Sequence, residues 1–249
     1  MKLEIEPLKT AAIEFESTLA AQKKSIAEPD FPWYPYGTLN NFVHLDRLLK
    51  GANRDLANMI DGRPVADVGA ADGDAAFFLE SLGVSVDIVD YGPTNFNTLR
   101  GARKLKEVRN SAVNIHEMDL DAYFEWPRKD YGLVFFMGIL YHLKNPFYVL
   151  ESLSRVTKYA VISTHIAQYS VDYKTRFAEL PVAYLVHSSE TNNDASNFWI
   201  FSEAGLKRIL DRAGWDVVDF MTAGNTKKSD PASAVGDERA FALIKSRVT

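Results

Sequence analysis

The first 60 residues of the chain carry apolar side chains at spacings that predict helical regions around a proline-containing loop. Apolar positions recur every three or four residues in 1–30 and again in 39–60. Between these regions the segment FPWYPYGT holds two prolines among four aromatic residues, and proline excludes a regular helix there. Asp61 and Gly62 then form a helix-stop signal. We therefore expect an N-terminal helical segment whose aromatic side chains lie on an extended loop.

Beyond residue 62, short β-branched and apolar runs alternate with stretches at helical spacing. This alternation is typical of repeated β-α units around a parallel sheet. The predicted helices cover 74–82, 95–105, 146–156 and 202–213. The seven predicted strands cover 65–69, 84–90, 112–118, 133–137, 160–164, 215–221 and 241–245. The fold class is therefore α/β, and the stretch 165–198 is too long for an ordinary β-α connection.

Composition narrows the classes of function. The chain has 249 residues, of which 47% are hydrophobic and 24% charged, so its length fits one α/β domain with a full core. A net charge of −5 disfavours broad nucleic-acid binding. The absence of cysteine excludes disulfides, thiolate metal ligands and a cysteine nucleophile, and we expect no metal site. Without a signal sequence or a membrane-length apolar run, we expect a cytoplasmic protein.

The first candidate binding site is the segment 65–74, which reads VADVGAADGD. A buried strand runs here into a turn and then a helix, and Gly69 and Gly73 allow the backbone to bend sharply and to approach a ligand. Asp67 and Asp72 place negative charge on this turn, which suits a cationic amino-acid ligand better than a phosphate. The competing interpretation is a turn whose glycines serve only the geometry of the chain.

Two further aspartates follow the next predicted strands. Asp90 stands at the tip of the apolar strand 84–90, where a carboxylate can accept both ribose hydroxyls of a nucleoside that lies across the first turn. Its alternative role is that of a turn aspartate before Gly92 and Pro93. Asp119 follows the third strand, where it could meet an adenine amino group, and a plain turn aspartate is again the alternative.

Four motifs resemble, in the same chain order, those of class I S-adenosylmethionine-dependent methyltransferases. They are VADVGAADG, VDIVDYGPTNF, EMDLD and LVFFMGILYHLKNP. Within that superfamily, MGILYHLKNPFYVLESL and the upstream WYPYGT are similar to the family that includes the carboxymethyl-transferring enzyme of tRNA wobble uridine. The superfamily resemblance covers about residues 60–245, whereas the narrower resemblance rests on these two short segments.

The resemblance implies a three-layer, Rossmann-like methyltransferase fold. Its seven-stranded, mostly parallel sheet has the order 3-2-1-4-5-7-6, with the last strand antiparallel. The implied cofactor is S-adenosylmethionine, which becomes S-adenosylhomocysteine (SAH). The residues carried over to cofactor binding are Asp67, Gly69, Ala71 and Gly73 for the methionine end, Asp90 and Tyr91 for the ribose, Asp119 and Leu120 for the adenine, and Met137 and Tyr141 for the pocket wall. The chain departs from the family pattern at Ala71 and at Gly132, where many relatives have glycine and aspartate, respectively.

Methyl transfer from a sulfonium is an in-line displacement that depends chiefly on the positioning of donor and acceptor. A base helps when the acceptor is a hydroxyl or an amine, and His142 and His165 follow the fourth and fifth predicted strands. A hydrogen bond to backbone is the alternative role for His142. The candidate substrate-binding residues are aromatic: Trp33, Tyr34, Tyr36, Tyr169 and Tyr184. For the three on the N-terminal loop, packing of that segment is the alternative.

These assignments divide the chain into an N-terminal helical and aromatic lid segment, 1–60, and a methyltransferase domain, 61–249, whose insertion at 165–198 serves as a substrate lid. The expected reaction is methyl transfer to a small-molecule acceptor, without a membrane partner. The first competing function is carboxymethyl or methyl transfer to tRNA. The basic residues between Arg100 and Arg109 could form a nucleic-acid-binding patch for it, and a solvated helix face is the alternative explanation of these residues. The same motifs also permit a nicotinamide-dependent dehydrogenase or a non-catalytic nucleoside-binding module.

Overall fold

The computed structural model describes residues 2–26, 31–191, 193–224, 228–233 and 238–249. The chain forms two compact units, residues 1–135 and residues 136–249. Both units combine helices with strands, as the alternating pattern predicts. Among the described residues, no helix is both long enough and apolar enough to cross a bilayer.

The N-terminal part of the first unit is helical. Its helices are α1 (Ile5–Ser25), α2 (Asn41–Leu48) and α3 (Ala57–Ile60). The aromatic segment 31–36 contains no helix, as its prolines predict. The helical region predicted over 39–60 is interrupted, because Gly51 adopts a φ of 53° and begins a separate 3-10 turn. The predicted stop is confirmed, since Asp61 and Gly62 both have positive φ.

Parallel strands build the sheet of the first unit. The elements that follow are β1 (Val65–Val68), α4 (Asp74–Ser81), β2 (Val86–Asp90), α5 (Arg100–Val108), β3 (Asn114–Glu117) and β4 (Tyr131–Met137). β2 pairs in parallel with both β1 and β3. The Gly132 N–H donates to the Pro64 carbonyl at 2.9 Å, at the point where β4 runs beside β1. The order is therefore β3-β2-β1-β4, and the burial of β1, β2 and β4 explains why their sequences are mostly apolar.

The helix predicted from residue 95 begins only at Arg100. The side-chain oxygen of Asn95 accepts hydrogen bonds from the backbone N–H groups of Asn97 and Leu99, at 3.1 and 2.9 Å. Thr98 and Leu99 also have positive φ, which a right-handed helix does not allow. Asparagine side chains compete with helical hydrogen bonds in this way. The start of the predicted helix is therefore a loop that follows β2.

The second unit contains the end of β4 and an antiparallel addition to the sheet. Its further elements are α6 (Pro146–Leu153), β5 (Thr157–Ile166), β6 (Ala183–Leu185), β7 (Trp199–Phe201), α7 (Glu203–Arg212), β8 (Trp215–Gly224) and β9 (Glu238–Ser246). The Gly138 N–H donates to the Ser163 carbonyl at 2.9 Å, where β5 runs beside the end of β4. β9 is antiparallel to both β5 and β8. The order in this unit is β4-β5-β9-β8.

The predicted order 3-2-1-4-5-7-6 is confirmed: the first unit contains the part 3-2-1-4 and the second unit the part 4-5-7-6. The sixth and seventh predicted strands correspond to β8 and β9. The last strand is antiparallel, as expected. The predicted count of seven is wrong, since the described residues form nine strands. The additional strands β6 and β7 lie within 165–198 and have three residues each, too few for an alternating pattern to be visible. The α/β class and the Rossmann-like methyltransferase fold are unaffected.

Candidate functional site

The glycine turn, residues 69–74, joins β1 to α4 through left-handed backbone conformations. Gly69, Ala71 and Gly73 have φ angles of 69°, 54° and 82°. The positive φ of Gly73 favours glycine there, and a Cβ would lie 2.7 Å from Ile88 Cδ1, so that side chain would have to shift. Ala71 adopts its conformation despite its Cβ, at a cost of roughly 1 to 2 kcal/mol. The sharp bend expected at the two glycines is present.

Asp90 ends β2 and is hydrogen-bonded to the glycine turn. Its Oδ2 accepts from the Ala71 N–H at 3.1 Å and from Asn95 Nδ2 at 2.9 Å, and its Oδ1 accepts from the Tyr91 N–H at 2.7 Å. Burial raises the pKa of Asp90, and these three hydrogen bonds offset that effect only in part. A carboxylate has about four acceptor positions, so Asp90 can still accept a hydrogen bond from a ligand hydroxyl.

Asp67, in β1, is a second carboxylate at the turn, and its hydrogen bonding is incomplete. The residue is only 6% exposed, and its Oδ2 makes no hydrogen bond with the described part of the chain. Burial, and then the nearby charge of Asp90, raise the pKa of Asp67 to about 7. An unpaired buried carboxylate is costly unless a cationic group supplies its missing partner. Asp67 therefore fits an ammonium ligand.

Asp72 has a different role from the one that its charge suggests. Its buried carboxylate accepts hydrogen bonds from Lys23 Nζ at 3.0 Å, from the Tyr34 N–H at 2.9 Å and from Asn97 Nδ2 at 2.7 Å. Lys23 also contacts Asp74 at 3.0 Å. The described contacts therefore disfavour Asp72 as the partner of a cationic ligand, because a lysine of the chain already lies against its carboxylate.

The residues predicted around the ribose and the adenine follow β2 and β3. Tyr91 comes directly after Asp90 and donates its N–H to it. Asp119 lies two residues beyond β3, and its Oδ1 accepts a backbone N–H two residues later at 2.9 Å, as a turn aspartate does. Leu120 is buried. The Met118 N–H donates to the Asp90 carbonyl at 2.9 Å, so the segment that carries Asp119 leaves the sheet beside the end of β2.

Tyr34, Tyr36 and Phe96 form an aromatic cluster in the first unit. The Tyr34 ring lies 5.4 Å from the Tyr36 ring and 5.8 Å from the Phe96 ring, edge-on in both pairs. Tyr36 and Phe96 are 71% and 55% exposed, so a ligand could reach them. Trp33 instead packs against Phe31, with the rings 4.4 Å apart. Sequence reasoning did not select Phe96, although it lies in the motif VDIVDYGPTNF.

The basic residues of α5 and its C-terminal end contact other parts of the first unit. Arg100 and Lys104 lie over the ring of Phe31, and Arg103 pairs with Glu117 at 2.7 Å. The other two members of the cluster donate to oxygen atoms of the protein. These contacts occupy the residues that would have to bind a phosphate backbone. The cluster therefore stabilises the first unit and is not simply a solvated helix face.

In the second unit, Met137 is the half-buried last residue of β4. Tyr141 lies four residues later, and its ring contacts those of both candidate histidines. The Tyr141 ring lies 4.2 Å from that of His142 and 4.6 Å from that of His165. Arg239 Nη2 lies 2.8 Å from His165 Nε2. A guanidinium can only donate, so His165 Nε2 accepts this hydrogen bond. Protonation of that nitrogen would break the bond, which disfavours His165 as a base.

His142 has the opposite arrangement, because its hydrogen bonds leave one ring nitrogen basic. Its Nδ1 lies 3.1 Å from the Ser196 carbonyl oxygen and 3.0 Å from Ser196 Oγ. Since a carbonyl only accepts, Nδ1 carries the proton and Nε2 carries the lone pair. The Ser196 hydroxyl donates to Asp194 at 2.6 Å, which orients the serine. Burial lowers the pKa of His142, so its imidazole is neutral at pH 7. The expected backbone hydrogen bond is thus present and is compatible with catalysis.

The two tyrosines predicted in the insertion lie in different surroundings. Tyr184 packs against a buried cluster that includes Tyr141, and its hydroxyl donates to Glu190 at 2.9 Å. Tyr169 lies near the ring of Tyr173, at a centroid distance of 6.2 Å. Only Tyr184 is therefore brought to the same cluster as Tyr141.

Solved structures of similar fold include a domain with SAH bound. The N-terminal domain of EvdMO1 with SAH bound has a TM-score of 0.57 at 17% identity, over 92% of this chain and 96% of that one. The PH0226 protein from Pyrococcus horikoshii OT3 has a TM-score of 0.53 at 15% identity, over 77% and 86% of the two chains. The [4+2]-cyclase SpnF has a TM-score of 0.52 at 14% identity, over 78% and 81%. At these identities the likeness shows the fold alone.

Sequence comparison identifies the family. No curated protein matches the chain in sequence. The family model described as "Methyltransferase domain" matches residues 43–219, which is more than half of the chain and includes the glycine turn, Asp90 and His142. The chain therefore belongs to the methyltransferase-domain family.

Proposed function

We propose that this protein transfers the methyl group of S-adenosylmethionine to a small-molecule acceptor. The observation that carries the proposal is the hydrogen bond from the Ala71 N–H to Asp90 Oδ2, because it joins the glycine turn to the carboxylate at the end of β2. An adenosine across the ends of β1 and β2 requires both elements in this relation. Membership of the methyltransferase-domain family, and the SAH bound by the N-terminal domain of EvdMO1, support the same cofactor.

The first unit supplies most of the residues that would hold the cofactor. Asp67 Oδ2, which has no partner among the described residues, fits the ammonium of the methionine end, and Asp90 can accept from one ribose hydroxyl. Gly69 and Gly73 allow the backbone to approach the ligand. When bound, S-adenosylmethionine supplies an electrophilic methyl group on a sulfonium. Further proposed contacts are those of Ala71 at the methionine end, Tyr91, Asp119 and Leu120 at the ribose and adenine, and Met137 and Tyr141 in the pocket wall.

The charge of the turn favours this cofactor over a nicotinamide dinucleotide. A dinucleotide would bring its pyrophosphate to the glycine turn, beside the buried carboxylate of Asp67. Neighbouring negative charges repel each other, and burial of the carboxylate increases the free-energy cost of that repulsion. A ligand that carries an ammonium in place of the pyrophosphate removes this conflict.

His142 is the better candidate for a general base. Its neutral Nε2 would take the proton that a hydroxyl or amine acceptor loses as the new bond to the methyl carbon forms. His165, the other candidate, already uses its Nε2 to accept from Arg239. Substrate positioning contributes more than the base, since it can lower a barrier by roughly 7 to 11 kcal/mol. The reaction would therefore slow, but not stop, without His142.

The acceptor side is assigned to the aromatic residues and to the insertion. We propose that Tyr34 and Tyr36 contact the acceptor from the first unit, with Trp33 supporting their loop. We propose Tyr169 and Tyr184 as acceptor contacts in the insertion 165–198. This insertion would then act as a substrate lid. Residues 1–60 would form a second, N-terminal lid segment. Aromatic surfaces of this kind suit a flat or partly apolar acceptor.

Methyl or carboxymethyl transfer to tRNA wobble uridine is the second candidate. It is favoured by the motif MGILYHLKNPFYVLESL and by WYPYGT. Against it, the net charge is −5, and the basic residues of α5 contact the protein itself. A carboxylated donor would also require a cation that faces its extra carboxylate. A mobility-shift assay with bulk tRNA tests this candidate, which predicts a salt-sensitive complex.

A non-catalytic role, or another reaction, is compatible with the fold alone, since SpnF of similar fold is a [4+2]-cyclase. Titration calorimetry with SAH, and with NADH as the competing ligand, tests the cofactor. We expect SAH to bind at micromolar concentration and NADH not to bind. Release of SAH from S-adenosylmethionine in the presence of a panel of hydroxyl and amine acceptors then tests the transfer. Tight binding of NADH without binding of SAH would refute the proposal.

A further inference from the structure

Lys23, near the C-terminal end of α1, lies between two acidic residues of the glycine turn. Its Nζ is 3.0 Å from Asp72 Oδ2 and 3.0 Å from Asp74 Oδ1. The side chains of Lys23, Asp72 and Asp74 are only 14%, 1% and 10% exposed. The contact is therefore a buried ion cluster, in which loss of one member leaves the others without compensation. It differs in this respect from an exposed ion pair on a helix surface, which contributes little.

Asp72 gathers three separate segments of the chain around the turn. One is α1, through Lys23. The second is the aromatic loop, through the Tyr34 N–H at 2.9 Å. The third is the loop after β2, through Asn97 Nδ2 at 2.7 Å, and Asn97 in turn accepts the Gly101 N–H at the start of α5 at 3.0 Å. The three donors are directed at one carboxylate next to Gly73. The shape of the turn therefore depends on residues far from it in sequence.

The charges of the cluster require a cation at this position. Asp72 and Asp74 are separated by one residue, and both are buried, so two ionised carboxylates would repel each other there. Lys23 provides the charge that keeps both in place. Burial by itself would lower the pKa of Lys23, but the carboxylates of Asp74 and Asp72 raise it by more, so the lysine is charged at neutral pH. Without this charge, one carboxylate must take up a proton or move toward solvent.

We propose that Lys23 is a positioning residue for the glycine turn, so that α1 is a fixed part of the cofactor site. The turn is held from two sides: Asp90 accepts the Ala71 N–H on the side of β2, and Lys23 donates to Asp72 and Asp74 on the side of α1. This proposal rests on the proposed function, since it concerns affinity for the same cofactor. It places an N-terminal lysine in the role of a supporting residue that does not itself touch the ligand.

The test compares two lysines of the same helix. Lys23→Met removes the ion cluster at the turn. Lys9→Met removes a single, more exposed ion pair that joins α1 to α2, 2.6 Å between Lys9 Nζ and Asp46 Oδ2, and leaves Asp46 its ion pair with Arg54. If Lys23 positions the turn, Lys23→Met lowers the affinity for SAH by 10-fold or more, whereas Lys9→Met changes it by less than 2-fold. Lys23→Arg, which keeps the charge, should recover most of the loss. Both methionine variants should lower the melting temperature.

A measurement without ligand separates this proposal from the proposed function. Hydrogen exchange of the backbone N–H groups in 69–74 should be faster in Lys23→Met and unchanged in Lys9→Met. Should Lys23→Met not fold, Asp74→Asn takes its place, with a smaller loss of affinity and the same local increase in exchange. Equal SAH affinity in Lys23→Met and the wild type, or equal losses in the two methionine variants, would overturn the proposal. If the wild type does not bind SAH, the proposed function fails, and the exchange data alone decide the role of Lys23.

Discussion

Replacement of Asp90 by alanine tests the assignment of the ribose contact. Three of about four acceptor positions on the Asp90 carboxylate are taken by Ala71, Tyr91 and Asn95. One strong hydrogen bond to a ribose hydroxyl therefore remains available. A hydrogen bond to a charged group contributes about 1.5 to 3 kcal/mol. At about 1.4 kcal/mol per tenfold change in affinity, Asp90→Ala should weaken SAH binding by roughly 10- to 100-fold.

Titration calorimetry with SAH at pH 7.5 measures this loss. The matched control is Glu117→Ala, because Glu117 is the residue of β3 that pairs in register with Asp90, and its exposed ion pair with Arg103 lies outside the proposed site. Glu117→Ala should change the affinity by less than 2-fold. If Asp90→Ala binds SAH as tightly as the wild type while both variants remain folded, the ribose assignment is wrong. An equal loss in both variants would indicate a general disturbance of the sheet edge.

Three further predictions follow from single residues. Because the pKa of Asp67 is raised to about 7, an ammonium ligand should displace the proton of its carboxyl group. The affinity for SAH should therefore rise with pH up to about 7.5, and the heat of binding should depend on the ionisation enthalpy of the buffer. Equal heats in phosphate and Tris would contradict this prediction. Asp87→Ala should lower the free energy of unfolding in urea by roughly 3 kcal/mol, since fully buried Asp87 accepts hydrogen bonds from Arg128 and Tyr131. An unchanged urea midpoint would contradict this prediction. Gly73→Ala should reduce both stability and SAH affinity, because its positive φ disfavours a Cβ and the side chain of Ile88 would have to shift; thermal melts and calorimetry measure the two effects.

The free energy of unfolding should depend on acid pH through Asp87, the fully buried aspartate of β2. Burial alone would raise the pKa of Asp87, but its hydrogen bonds with Arg128, Asn114 and Tyr131 lower it by more. A lowered pKa in the folded state means that this stabilisation is present above the unfolded value, about 3.9, and is lost as the pH falls below it. The wild type should therefore lose more stability than Asp87→Asn between pH 5 and pH 3.

The parallel sheet could be predicted because its signals are local. The strands β1, β2 and β4 are short, mostly apolar and buried runs, and Gly69 and Gly73 lie at positions where the backbone adopts positive φ. Gly132 could be recognised as a departure from the family, but the reason for it could not. A Cβ there would lie 2.1 Å from the Ile60 carbonyl oxygen, so an aspartate at this position would require the end of α3 to move.

The partners of the site residues could not be predicted, because they come from distant parts of the chain. Lys23 is 49 residues from Asp72, and no local pattern relates a lysine on an N-terminal helix to a glycine turn. The sequence placed both histidines just after predicted strands, whereas His142 follows β4 and His165 lies within β5, whose end is two residues later than predicted. What distinguishes them is a contact with Arg239, 74 residues from His165, and the backbone hydrogen bond between His142 and a residue 54 positions away. Spacing selected both histidines and could not separate their surroundings.

A crystal structure of the protein grown with SAH tests the central claim most directly. We expect density for SAH with its adenosine across the ends of β1 and β2, a ribose hydroxyl within about 3.2 Å of the Asp90 carboxylate and its ammonium beside Asp67 Oδ2. Density for SAH at another location, or a glycine turn closed by the protein's own side chains with Asp90 turned away from the ligand, would contradict the account.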